Sequence, residues 1–302
     1  MPAEDWVFIG TKSDGRPPPG PAEASIPVLA LDPATGALRR AHADAGSLPA
    51  PSWLTLSPGG AHLYATCRAE TLGEEPTGVG SDDPEDHFAV AFEINAADGT
   101  LRELNREFTV GIGPTHCGAS GSVLVTAQYM GGSVTALGIG SDGSLHPTRC
   151  VLHHEYGSNA NPVRQPHSYC HGAVFDPAGE RVIIPDLGAD RLYVYDVDSA
   201  RAQLRPASGG AWFESAPASG PRSFCFHPNG RWGYLLTEID STIVSLDYDA
   251  GDGSFTQIGE TVCTIPDEWP GLDVDRCEST AAVTTTATST PPQPLLLGAR
   301  LR

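Results

Sequence analysis

Short apolar runs broken by Pro-Gly turns recur along this chain, and they repeat one grammar: a strand, a tight turn, a second strand, then a third strand and a glycine turn. The segments are "PSWLTLSPGGAHLYAT" (51–66), "GPTHCGASGSVLVTAQYMGGSVTALGIGSDGSL" (113–145), "CHGAVFDPAGERVIIPDLGADRLYVYDVD" (170–198) and "GPRSFCFHPNGRWGYLLTEIDSTIVSLDYDAGDGSF" (220–255). The turns "SPGG", "DPAG" and "HPNG" place proline where φ is preset and glycine or asparagine where φ turns positive. Stretches such as "LYVYDVD" and "VSLDYD" are rich in the β-branched and aromatic residues of strands. An earlier stretch, "PVLALDPATGAL" (27–38), ends in the same way and reads as the tail of a first unit. About five units at a spacing of about 50–60 residues is the period of four-stranded propeller blades rather than of helical repeats. An all-β propeller of about five blades is therefore expected.

Two stretches break the grammar. Residues 69–87, "AETLGEEPTGVGSDDPEDH", are acidic and turn-rich and read as a solvated insertion in the second unit. Residues 272–302 shift into a Thr/Pro-rich sequence, expected to be a disordered tail, which leaves 1–271 as the repeat domain.

Composition sharpens this picture. The 302 residues contain 34 glycines and 27 prolines, enough turn-formers for many short elements. With 18 basic and 37 acidic residues the formal charge is −19, which argues against nucleic acid or an anionic membrane as partner. Lys12 is the sole lysine. A Gly-Lys-Ser/Thr phosphate loop and a Schiff-base lysine within the repeats are thus excluded, and an anionic substrate must be gripped by arginine. The seven cysteines form no Cys-x-x-Cys pair, and the first residues carry neither a basic nor an apolar leader segment. Free thiols in a cytoplasmic setting are the expectation.

Over about residues 6–271 the chain resembles the seven-bladed β-propeller lactonase family, which includes 6-phosphogluconolactonases and carboxy-cis,cis-muconate cyclases. The resemblance rests chiefly on "VRQPHSYCHGAVFDPAGERVIIPDLGADRLYVYDVD" and "GPRSFCFHPNGRWGYLLTEIDSTIVSLDYD". It departs from the family at Ser223, Thr237 and Gln128, where the family usually has His, Asn and Asn. Family members also continue with two further blades after the point matched by "TIPDEWPG". On that reading the ring is open or incomplete, "DWVFIGT" (5–11) is a closing strand lacking its blade, and strand edges lie exposed near residues 10 and 265.

The resemblance implies a catalytic role for His171, at the start of "HGAVFDP", for Arg222 in "GPRS" and for Glu238 in "LTEID". An imidazole can take a proton from water attacking a lactone carbonyl, and a guanidinium can hold a carboxylate or phosphate, or an oxyanion, by a forked contact. A glutamate nearby can orient either. His167 and His116 are further candidates for substrate contact; His116 in "GPTH" reads as the repeat equivalent of Arg222. The histidines of "HHE" (153–155), with His167 and His171, are not read as metal ligands, because no helix places two of them on one face. No cofactor is expected.

Three functions stay open at this point: a lactone hydrolase, a lactone-forming cycloisomerase, and an inactive propeller used as a binding scaffold. The first two share a small anionic lactone or muconate-type substrate.

Overall fold

The computed structural model describes residues 5–11, 26–41, 48, 51–68 and 87–265. Most of the insertion read at 69–87 and the whole tail read at 272–302 lie outside the described residues. His87, at the end of that insertion, is a buried residue that opens a strand.

The described chain contains strands and turns, arranged in five antiparallel sheets that follow one another along the sequence. They fall in two compact units. One runs to His153 and takes back Asp198–Gln203; the other comprises His154–Val197 and continues from Leu204.

The first unit holds three sheets. Strands β1 (Asp5–Phe8), β2 (Val28–Leu31) and β3 (Leu38–Arg40) form the first. The second is β4 (Pro51–Leu56), β5 (His62–Arg68), β6 (His87–Ile94) and β7 (Leu101–Phe108). The third is β8 (Pro114–Ala119), β9 (Val123–Gln128), β10 (Ser133–Gly138) and β11 (Cys150–His153). On one side β1 pairs with β2, from Asp5 opposite Leu31 to Phe8 opposite Val28, and it forms one edge of its three-stranded sheet. The reason is hydrophobic, since Phe8 joins Ile26, Val28, Leu63 and Val90 in one buried cluster. A second cluster, around Tyr64, Leu124 and Leu137, joins the second and third sheets.

The second unit holds two sheets. In one, β12 (Val174–Phe175), β13 (Arg181–Asp186), β14 (Arg191–Asp198) and β15 (Gln203–Pro206) follow in order, and β16 (Trp212–Glu214) also pairs with β14. In the other, β17 (Pro221–Phe226), β18 (Trp232–Thr237), β19 (Thr242–Tyr248) and β20 (Phe255–Gln257) are ordered likewise, with β21 (Val262–Cys263) on β19. Ile183, Leu192, Phe224, Leu235, Val244 and Leu246 pack between them. A polar tie reinforces this core. Arg181, only 8% exposed, bonds Asp196 within its sheet and the carbonyls of Ala250 and Gly251 beyond β19. The turns between first and second strands are those read in the sequence, with positive φ at Gly60, Gly179 and Gly230.

A β-bulge recurs at the start of three sheets. The register slips between Pro51 and Trp53, between Pro114 and His116, and between Pro221 and Ser223. In each case a proline, which has no N–H for the ladder, precedes the extra residue. The bulged residues are thus Ser52, Thr115 and Arg222. Cys67, Cys117, Cys150, Cys170 and Cys225 are free thiols, whereas Cys263 is disulfide-bonded. An odd set of cysteines can hold bridges and thiols together, and spacing alone does not separate them.

Leu235 is fully buried in the core of the second unit. Leu235→Ala is expected to cost about 2–5 kcal/mol of unfolding free energy, while Val163→Ala, at an 85% exposed position, is expected to cost almost nothing. Urea titrations of the two variants check this; equal midpoints would show that the second unit is not packed around Leu235.

Candidate functional site

The segment that leads from β11 to β12, residues 154–173, carries little regular structure, and two buried aspartates hold it in place. Both come from "DLGAD", at and after the end of β13. Asp186 Oδ1 accepts from the backbone N–H groups of Tyr169 (2.8 Å), Gly188 and Ala189 (both 3.1 Å). Its Oδ2 accepts from Ser168 (2.5 Å) and meets Nδ1 of His154 (3.0 Å).

Asp190, in a positive-φ conformation, does the same work one turn further on. Its oxygens accept from Ser158 Oγ (2.8 Å), Gln165 Nε2 (2.6 Å), and the backbone N–H groups of Ala218 and Gly220 (both 2.9 Å). A buried carboxylate is tolerated because donors converge on it, each charge-assisted bond contributing more than a neutral one.

This network positions arginines. Gln165 follows Arg164, and Gly220 stands two residues before Arg222 on the bulge of β17. Gly220 itself has φ near +68°, and a Cβ there would lie 2.7 Å from Ile239 Cγ1, so glycine is required on both counts. Backbone N–H of Glu238, just after β18, donates to the Gly220 carbonyl (2.8 Å). The carboxylate of Glu238 lies between the two guanidiniums, Oε1 bonded to Arg164 and Oε2 to Arg222. All three side chains keep partial access to solvent, between 25% and 42%. Two arginines thus share one half-exposed carboxylate, on a protein whose total charge is strongly negative.

His171 enters this neighbourhood through the backbone. Its N–H donates to the Pro185 carbonyl (2.8 Å), and the following residue, Gly172, has its Cβ direction 3.7 Å from the Arg222 carbonyl. The half-buried His171 therefore sits on a stretch that runs beside the Arg222 bulge. The regular strand expected from His171 onward is shorter than read, with β12 only Val174–Phe175.

The other two candidates are placed differently. His167 is exposed; its Nδ1 donates to the Ser168 carbonyl (2.9 Å) and its ring lies 4.2 Å from that of Tyr169. His116 lies in the first unit, stacked on Trp53 with ring centroids 4.0 Å apart. Its equivalence to Arg222 is corrected by the bulge: the register makes Thr115 the counterpart of Arg222, and His116 the counterpart of Ser223.

Sequence reasoning missed Arg164, because "NANPVRQP" reads as a loop and gives no periodicity from which to place a side chain. The residues that hold the loop, Gln165 and Asp190, were equally silent apart from their presence in the quoted motifs.

The family model described as "Lactonase, 7-bladed beta-propeller" matches residues 7–289, and the chain belongs to that family of propeller proteins. Among its relatives, a 6-phosphogluconolactonase of Bacillus subtilis is 32% identical over 182 residues, covering 59% of this chain and 50% of that protein. One from Serratia proteamaculans is 27% identical, covering 60% and 50% respectively. The chain thus spans about half the length of these relatives. In fold, it is similar to the periplasmic gluconolactonase of Pseudomonas aeruginosa, with a TM-score of 0.70 and 27% identity over 88% of this chain and 69% of that one. Among the described residues no helix is long and apolar enough to cross a membrane.

Two outcomes are expected of this geometry. Glu238→Gln removes the carboxylate that bonds both Arg164 and Arg222 and is expected to tighten binding of inorganic phosphate several-fold at low ionic strength, read by calorimetry; unchanged affinity would mean that the pair is not open to anions. Asp190→Ala leaves its buried donors unsatisfied and is expected to destabilise by about 3 kcal/mol, read by urea denaturation.

Proposed function

We propose that this chain is a lactone hydrolase acting on an anionic sugar-acid lactone of the 6-phosphogluconolactone type. The observation that carries the reading, beyond family membership, is the half-exposed Arg164–Glu238–Arg222 cluster beside the His171 stretch. Two forked cations held by rigid backbone anchors suit a phosphate or carboxylate, which competes with Glu238 for their donors.

In the proposed reaction the substrate anion engages Arg164, and Arg222 faces the lactone carbonyl. His171, neutral, takes a proton from water as the oxygen attacks that carbonyl carbon. Arg222 stabilises the negative charge that develops on the carbonyl oxygen. Collapse of the tetrahedral intermediate breaks the bond to the ring oxygen, which leaves as a hydroxyl on receiving the proton from His171. The free acid then ionises and releases one proton to solvent. Glu238 keeps the two guanidiniums apart and oriented before substrate arrives. No step calls for a cofactor.

The test is hydrolysis of 6-phosphogluconolactone, followed by proton release above the spontaneous rate. His171→Ala is expected to lose about 10²–10⁴ in kcat, the usual scale for a general base. Arg164→Ala is expected to raise KM more than it lowers kcat, since it acts on binding. Wild-type rates in His171→Ala would remove that residue from the mechanism. Ring closure of a carboxy-muconate without lactone hydrolysis would assign the site to the cycloisomerase direction, and turnover of neither would leave the scaffold reading.

A further inference from the structure

A second cluster of chemistry-bearing side chains lies in the same unit but is buried. His154, Cys170 and Asp186 come from three places in the chain: the residue after β11, the bridge before β12, and the end of β13. Their side chains are almost sealed, with His154 and Asp186 at 4% and 0% exposed and Cys170 fully buried. Three ligand-type atoms converge. Nδ1 of His154 is 3.0 Å from Asp186 Oδ2 and 3.2 Å from Cys170 Sγ, and Sγ is 3.7 Å from Oδ2.

A hydrogen-bonded His–Asp pair beside a small buried thiol accounts for only part of this. Nδ1 of His154 faces both the carboxylate oxygen and the sulfur, and the Cys170 S–H, a weak donor, meets the same Oδ2 only at 3.7 Å, so these hydrogen bonds hold the three side chains together loosely. A cation would bond all three. Zinc bound at about 2.0–2.3 Å in tetrahedral geometry separates its nitrogen, oxygen and sulfur ligands by about 3.3–3.6 Å, and the three observed separations bracket that range.

The surroundings are those of a metal's supporting shell. Nε2 of His154 lies 2.6 Å from the Tyr195 hydroxyl, which fixes the ring with Nδ1 facing the cluster. Asp186 Oδ1 is held by three backbone N–H groups, leaving Oδ2 turned toward the other two ligands. Ser168 Oγ, 2.5 Å from Oδ2 and 3.7 Å from Sγ, can take or orient a fourth position. One thiolate and one carboxylate neutralise a divalent cation, so the loaded site carries no net buried charge.

We propose that His154, Cys170 and Asp186 form a zinc-binding site that ties residues 154–170 to the end of β13. Binding displaces the thiol proton of Cys170 to solvent and replaces hydrogen bonds among the three side chains with coordination bonds. The mixed nitrogen, sulfur and oxygen set selects a zinc-class cation over magnesium or calcium, which take oxygen donors. The inference stands apart from the lactonase reading, although the tethered segment also carries Arg164 and leads into His171.

The test uses the full chain, stripped with a chelator and titrated with Zn²⁺ and, separately, with Co²⁺. Expected are about one zinc per chain by elemental analysis, a thermal midpoint raised by several degrees, and, for cobalt, a thiolate-to-metal charge-transfer band with the intense visible bands of tetrahedral coordination. Cys170→Ser, nearly isosteric, is expected to lose the charge-transfer band, while Cys150→Ser keeps it. Cadmium-113 NMR of the wild type provides a reading that depends on no variant: a resonance in the range of a single sulfur ligand is expected. Absence of a charge-transfer band in the wild type, its persistence in Cys170→Ser, or a cadmium shift typical of oxygen ligands alone would overturn the proposal.

Discussion

Everything at the candidate site depends on the convergence of donors on two buried carboxylates four residues apart. Asp186 ends β13 and Asp190 follows it, where the strand gives way to a turn. The segment 154–173 has few regular hydrogen bonds of its own, so it would cost much conformational entropy to order by packing alone. The aspartates supply the missing acceptors. Asp190 reaches Gln165 on one side and Gly220 on the other, so one side chain sets the positions of the two backbones that bear Arg164 and Arg222. The loop is thereby anchored by side-chain acceptors in place of a ladder, and a forked guanidinium contact needs such anchoring.

The electrostatics follow from the same arrangement. Two guanidiniums close enough to share one carboxylate would repel each other without it, and Glu238 makes their approach tolerable. An incoming anion competes with Glu238 for the same donors. Long-range attraction from the rest of the molecule cannot help, because the formal charge is −19. Recognition of an anion by this chain must therefore be local: it depends on short, geometrically matched contacts and falls off with salt less than steering by a basic surface would.

The sequence revealed what local physics controls. Pro-Gly turns fix φ whatever surrounds them, so "SPGG", "DPAG" and "HPNG" could be placed from residues alone, and the apolar runs between them became strands. Arg222 and Glu238 were singled out through the family resemblance of their repeat, and they lie at the start of β17 and just after β18. Arg164, His154 and Cys170 were not, since nothing nearby in sequence determines where an irregular segment puts its side chains. Their positions are set by Asp186 and Asp190, which lie 16 or more residues away along the chain. At residues 5–11 strand character is local as well, whereas the partner depends on which apolar face is available: β1 pairs with β2, and Phe8 packs with Val28 and Leu63.

The bulges explain how a repeat can become a site. A proline at the head of the first strand interrupts the ladder in three sheets, and each time one extra residue is turned out of register. In two of them that residue is small and polar. Ser52 uses its hydroxyl to bond the Pro114 carbonyl at 2.6 Å, tying neighbouring sheets together, and Thr115 bonds the Gly113 carbonyl within its own turn at 3.1 Å. In the third the same backbone device carries Arg222, whose long side chain reaches past the turn to Glu238 instead. A bulge frees a side chain from the alternation of the strand, so its residue can change with little penalty to the sheet. Repetition thus provides the same exit from the ladder in sheet after sheet, and the chemistry arises where one of those exits holds an arginine.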